Sequence, residues 1–198
     1  MADTYYTIAS PGEGAFREKM SKFLSFAHHV TTSDEAKSLI KEYANKYCDA
    51  RHVCWAYMIG PQHTEYQSND NGEPSGTAGK PILGQINSFN LTDVVVIVVR
   101  YFGGIKLGTS GLISAYREAA REALASAPVM ECHEQRELAF TFPYLAMNEV
   151  MRTIKSYDLK IIEQIFDNSC SMKISIRADQ SDSIRGRLED ISGVTFRE

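Results

Sequence analysis

Residues Val94 to Val99 read Val-Val-Val-Ile-Val-Val, six β-branched side chains in succession with nothing polar between them. Branching at Cβ favours extended backbone. A strand without the apolar–polar alternation of a half-exposed sheet belongs in the middle of a fold, covered on both faces. The run falls far short of the roughly 20 residues a membrane-crossing helix needs. The chain leaves the strand through Arg100-Tyr101-Phe102-Gly103-Gly104-Ile105-Lys106-Leu107-Gly108-Thr109-Ser110-Gly111. It then enters a helical pattern from Leu112 to about Ala127, closed by Pro128.

Elements of both kinds flank this unit, and the pattern is that of an α+β protein. Residues 4–8 and 16–30 read as extended. Thr32 with Glu35 three residues on forms a capping box, and Ala36, Leu39, Ile40, Tyr43, Ala44 and Tyr47 follow at helical spacing. His52 to Ile59 returns to strand character and stops at Gly60-Pro61. Residues 62–79 read as loop, and Pro81 suits the first turn of a short helix running toward Phe89. After Pro128 and the polar Glu131-Cys132-His133-Glu134-Gln135-Arg136, the last third reads as a complete β-α-β-β-α-β set. Its strands are Glu137–Phe142, Leu159–Phe166, Cys170–Arg177 and Val194–Phe196; one helix starts at Pro143 and another is capped by Asp179. The 198 residues are thus expected to form two domains, 1–130 and 131–198.

Charge narrows the function. The formal net charge is −4. Residues 1–128 hold 12 Lys and Arg against 13 Asp and Glu, and residues 129–198 hold 9 against 12. Neither part has the basic body of a protein that grips nucleic acid by bulk electrostatics, so such a role must rest on a local patch. The four cysteines contain no C-x-x-C pair, which suits reduced thiols and argues against a zinc ribbon or redox motif. Met1-Ala2-Asp3-Thr4-Tyr5-Tyr6 lacks the basic start and apolar core of a secretory signal. A cytoplasmic protein without membrane contact is expected.

Two glycine-rich segments carry the densest chemical signal. In residues 70–81, glycines with Ser75 and Thr77 can aim several N–H groups at one point, and Lys80 can neutralise what sits there. Pro74 and Pro81 break the Walker A pattern, so this is no nucleotide P-loop. In residues 100–111 the turn opens a helix, whose N-terminus attracts anions. Gly103-Gly104 does not match a dinucleotide fingerprint. An ordinary surface loop built of good turn residues explains the first segment equally well, and tight strand-to-helix packing the glycines of the second. The adjacent His28 and His29 point to opposite faces of a strand, and His52 with Cys54 supplies only two ligands on one face, so no metal and no cofactor are expected.

Three stretches are specific in combination: Arg51 to Tyr57 (Arg-His-Val-Cys-Trp-Ala-Tyr), Asn71 to Pro81, and Val98 to Thr109. With them the chain closely resembles the IMPACT family, in its bacterial YigZ branch. The resemblance implies an N-terminal domain similar to the second domain of ribosomal protein S5. It also implies a ferredoxin-like C-terminal domain resembling the last domain of elongation factor G. Ser110 departs from the pattern, since members usually carry glycine before Gly111. The family's eukaryotic relatives act in translational control by binding a regulator of a stress-activated kinase.

The leading functional expectation is a cytosolic, non-enzymatic binding protein that regulates translation through RNA or the ribosome. Lys22, Arg51, Lys80, Arg100 and Lys106 would neutralise phosphate. Gly72, Ser75, Gly76, Thr77, Gly79, Gly103, Gly104, Gly108 and Thr109 would let the ligand approach the backbone. The first alternative is an enzyme or small-molecule binder with His52 and Glu73 as acid and base. The second is a protein-interaction module whose partner is a translation-related protein. The sequence assigns no oligomeric state.

Overall fold

In the computed structural model, which describes residues 4–167 and 169–196, Val94 to Val99 lie inside β6 (Val94–Tyr101), the middle strand of a five-stranded sheet. The sheet order is β2 (Gly12–Glu18), β3 (Ser21–His29), β6, β4 (His52–Ile59), β5 (Glu65–Asn69), with every neighbouring pair antiparallel. Both faces are covered. Val95, Ile97 and Val99 pack with Phe26, Tyr43 and Tyr57, beneath α1 (Ser33–Lys46). Val94, Val96 and Val98 pack with Ile82 and Ile86 of α2 (Gly79–Ser88) and with Ala119, Ala120 and Ala123 of α3 (Gly108–Ser126). Alanine on the buried stripe of α3 lets that helix lie close on the sheet. Thr32 caps α1 by accepting from the Glu35 amide, and Glu35 reaches back to the Thr31 amide, one residue earlier than a capping box requires.

Contacts divide the chain into two compact units, the first running from Thr4 to Cys132 and the second from His133 onward. In the first, β1 (Thr4–Ile8) pairs with β7 (Val129–His133) as a small separate sheet. The second unit holds β8 (Gln135–Phe142), α4 (Met147–Ser156), β9 (Lys160–Phe166), β10 (Cys170–Arg177), α5 (Ser181–Glu189) and β11 (Thr195–Phe196). Its sheet order is β11-β8-β10-β9, the order of a split βαβ fold. The alternating strand Cys170–Arg177 buries Cys170, Met172, Ile174 and Ile176 against Val150, Ile154, Ile184 and Leu188.

Several local expectations are corrected. The extended reading of residues 16–30 is interrupted by a hairpin turn: Glu18 pairs with Ser21, and Lys19 and Met20 both adopt left-handed φ (42° and 69°). The supposed loop 62–79 contains the edge strand β5, whose polar residues hide it from any apolar pattern. Most of the polar break at 128–136 is strand, β7 and the start of β8. Helices α2 and α3 start at Gly79 and Gly108, two and four residues before Pro81 and Leu112. Asp179 does not cap α5; it lies in a 3-10 turn, Ala178–Gln180, and pairs with Arg177.

Candidate functional site

The register of β3, β6 and β4 aligns Phe23, Arg100 and His52 across the sheet on the side facing α3. Arg100 is 5% exposed. Its Nη1 donates to Glu73 Oε1 at 2.6 Å, its Nη2 reaches Ser21 Oγ at 3.3 Å, and its Nε has no partner. The guanidinium lies 5.6 Å from the Phe23 ring centroid and 5.5 Å from that of Phe102. Glu73 also accepts from the Tyr116 hydroxyl at 2.8 Å. The Cys54 thiol sits within reach of the Tyr116 oxygen (3.3 Å) and of the Asp70 carbonyl (3.0 Å). Burial pushes the Tyr116 phenol far up, helped by Cys54 and Glu73. Burial likewise pushes the Cys54 thiol up to about 12, away from the thiolate form that a nucleophile uses.

His52 Nδ1 lies 2.8 Å from the Asn71 carbonyl oxygen, which can only accept, so that nitrogen carries a proton. Its Nε2 is 3.9 Å from Glu73 Oε1. Glu73 is committed to Arg100 and Tyr116, so a general-base role would require breaking a buried ion pair.

The glycine-rich loop of residues 70–79 does form an amide nest, and the protein fills it. Asp70 accepts from the amides of Gly76 (2.8 Å), Ala78 (2.9 Å) and Gly79 (2.8 Å). Burial alone would raise the Asp70 carboxyl, but these three amides, with Lys80 nearby, hold it below the ordinary aspartate range. An external anion is thus not needed to order this loop. Gly72 and Gly76 adopt φ of +83° and +76°, where a side chain would strain the turn.

The loop and the Arg100–Gly111 turn meet at a cavity of about 460 Å³. Its walls include Arg51, His52, Gly72, Glu73, Pro74, Arg100, Phe102, Lys106, Gly108 and Thr109. At the mouth, Arg51 and Lys106 are exposed, and no salt bridge engages either among the described residues. The first turn of α3 has no capping side chain and no acidic residue, so its amides and dipole are uncompensated there. Phe102 is 39% exposed, with Arg51 at 5.8 Å from its ring centroid.

The remaining expected residues lie elsewhere. Lys80 and Gly76 line a separate cavity with Arg117, between α2 and α3. Lys22 pairs with Tyr101, which puts it on the opposite face of the sheet from Arg100. Ser75 is exposed, and buried Thr77 donates to the Pro74 carbonyl. Gly79 and Gly103 permit close packing: an added Cβ would come within 2.7 Å of the Asn69 amide nitrogen and 2.0 Å of the Met20 carbonyl oxygen. Gly104 takes up a left-handed turn, φ +89°. Asp70 and Tyr116 do much of the organising without having stood out among the sequence candidates. An aspartate opening a glycine-rich loop, and a lone phenol on an alanine stripe, are the signals that would have found them. Among the described residues, no three His, Cys, Asp or Glu side chains gather as a metal site, and no helix is long and apolar enough to cross a membrane.

Comparison with known proteins places this geometry in a family. The model of the Impact N-terminal domain matches residues 19–124, which hold the whole cavity. The chain is 30% identical to the IMPACT family member YvyE of Bacillus subtilis over 192 residues, covering 97% of this chain and 88% of that one. It is 30% identical to the IMPACT family member YigZ of Escherichia coli, covering 88% of this chain and 86% of that one. A crystal structure described as that of a hypothetical protein superposes with a TM-score of 0.80 at 27% identity, covering 99% of this chain and 97% of that one. The chain belongs to the IMPACT family.

Proposed function

We propose that this protein is a non-enzymatic binding protein that contacts RNA through the cavity between its two glycine-rich segments, in the service of translation. One observation supports the reading above others: two cations that no salt bridge engages among the described residues, Arg51 and Lys106, and the uncapped start of α3 converge on one concave site in a chain whose net charge is −4. Phosphate contacts need such groups, and a helix N-terminus adds amide donors to them. Glu73 and Arg100 neutralise each other beneath the site, which leaves the mouth positive. The translation setting rests on what the resemblance to the eukaryotic relatives implies.

Fluorescence anisotropy with a labelled RNA oligonucleotide at low salt tests the reading. Arg51→Ala and Lys106→Ala should each weaken binding and reduce the slope of log K against log[salt] by about 0.7–0.9. Lys173→Ala, on the sheet of the second unit, should leave both unchanged. Absence of RNA binding by the parent protein refutes the reading. A small phosphate ligand is the second reading, favoured by the cavity's volume, which falls within the range of small-molecule sites. Tight binding of inorganic phosphate or a mononucleotide without RNA binding would establish it.

A further inference from the structure

Resting on the RNA reading above, we infer that the ligand is single-stranded, with unstacked bases lying on an apolar platform made by Met20, Phe102 and Ile105. The three side chains are 77%, 39% and 50% exposed. Gly103 joins the first two: its Cα lies so close to Met20 that an added Cβ would fall 2.6 Å from the Met20 Cβ. The β2–β3 tip is thereby held against the turn that carries Phe102 and Ile105.

The tip itself is built against local preference. A two-residue hairpin with both central residues left-handed favours Asn-Gly, yet Lys19 and Met20 stand there. Left-handed backbone is unfavourable at a non-glycine residue, so these side chains stand where glycine would fit with less strain. What they add is a cation and a flexible, polarisable apolar group beside the Gly103 turn.

A cation adjoins each of the three apolar residues. Arg51 lies over Phe102, Lys106 follows Ile105, and Lys19 precedes Met20. Among the described residues no salt bridge engages these three. Apolar and aromatic surface interleaved with unpaired cations fits a chain whose backbone is anionic and whose bases are free to leave their stack. A duplex offers phosphate and sugar but keeps its base faces closed, so it would use the cations and leave the apolar platform bare.

The test compares a labelled single-stranded oligouridylate with a labelled RNA duplex of the same length, using the full chain. The oligouridylate should bind more tightly than the duplex. Met20→Ala and Ile105→Ala, both at exposed positions, should each weaken oligouridylate binding, and Phe102→Leu should weaken it most. Base–aromatic contacts of this kind correspond to about 5- to 150-fold in affinity. The salt slope should stay at its parent value in all three variants, because no phosphate contact is removed. Equal or tighter duplex binding overturns the inference, as does indifference to the apolar substitutions while Arg51→Ala and Lys106→Ala still weaken binding. Either result leaves the RNA reading standing. Absence of binding to both RNAs overturns the two together.

Discussion

Replacing Glu73 with alanine strips the Arg100 guanidinium of the one counter-charge that pairs with it among the described residues. The two side chains are 4% and 5% exposed, and the Arg100 Nε already lacks a partner. Breaking such a pair from one side typically costs about 3–5 kcal/mol. Tyr116 loses its acceptor as well, so the upper part of that range is expected. Trp55 is the single tryptophan and lies in β4, whose first residue is His52, so its fluorescence reports on this unit. With a urea slope of about 2 kcal/mol/M, the midpoint should fall by roughly 2 M. Glu73→Gln, which keeps an acceptor but not the charge, should cost less. The double variant Glu73→Leu/Arg100→Met removes both charges and should recover most of the loss. A cost below about 1 kcal/mol for Glu73→Ala, or a double variant no more stable than Glu73→Ala, would refute the assignment of this pair as a buried, mutually dependent unit.

Asp70→Ala should cost about 1.5–3 kcal/mol near neutral pH, since three amides lose a charged acceptor. Because the folded state depresses the Asp70 pKa, its contribution is complete above the unfolded value of about 3.9 and is lost as pH falls through the lower folded value. The gap between parent and variant in urea midpoint should therefore close in acid, and a pH-independent gap would contradict the nest. Gly103→Ala should destabilise by about 1–3 kcal/mol and disturb the Lys19–Met20 tip. Gly84→Ala, where an added Cβ meets nothing within α2, should be neutral or stabilising by up to about 1 kcal/mol, as thermal unfolding of both would show. In thiol titration with a disulfide reagent, exposed Cys48 should react at once. Cys54, buried and pushed up to about 12, should react only after denaturation.

What the sequence revealed and what it hid follow from how far apart the determinants lie. The run Val94–Val99 announced a doubly covered strand because its cause is local to six residues. The alternation in Cys170–Arg177 announced a one-sided strand for the same reason. Strand β5 stayed hidden because an edge strand with exposed Glu65, Tyr66 and Gln67 has no apolar pattern to show. The early starts of α2 and α3 stayed hidden because glycine lowers helix propensity while tertiary packing decides. At the site, the glycine-rich segments were visible, but their use was not. Whether a nest is vacant depends on where Asp70 turns its carboxylate. Whether Arg100 is a free cation depends on Glu73, 27 residues away. Lys22 and Lys80 look equivalent to Lys106 in sequence, and only strand register and helix placement send them to other surfaces.

The carboxylate parked in the loop of residues 70–79 also bears on timing. A loop that must wait for its ligand's charge before it orders adds a slow rearrangement to every encounter. Here the carboxylate belongs to the chain, so the wall carrying Gly72, Glu73 and Pro74 is set before any partner arrives. On the proposed RNA reading, association would proceed at the rate of collision and orientation, quickened at low ionic strength by Arg51 and Lys106. Differences between good and poor partners would accordingly appear in how long they stay, not in how fast they come.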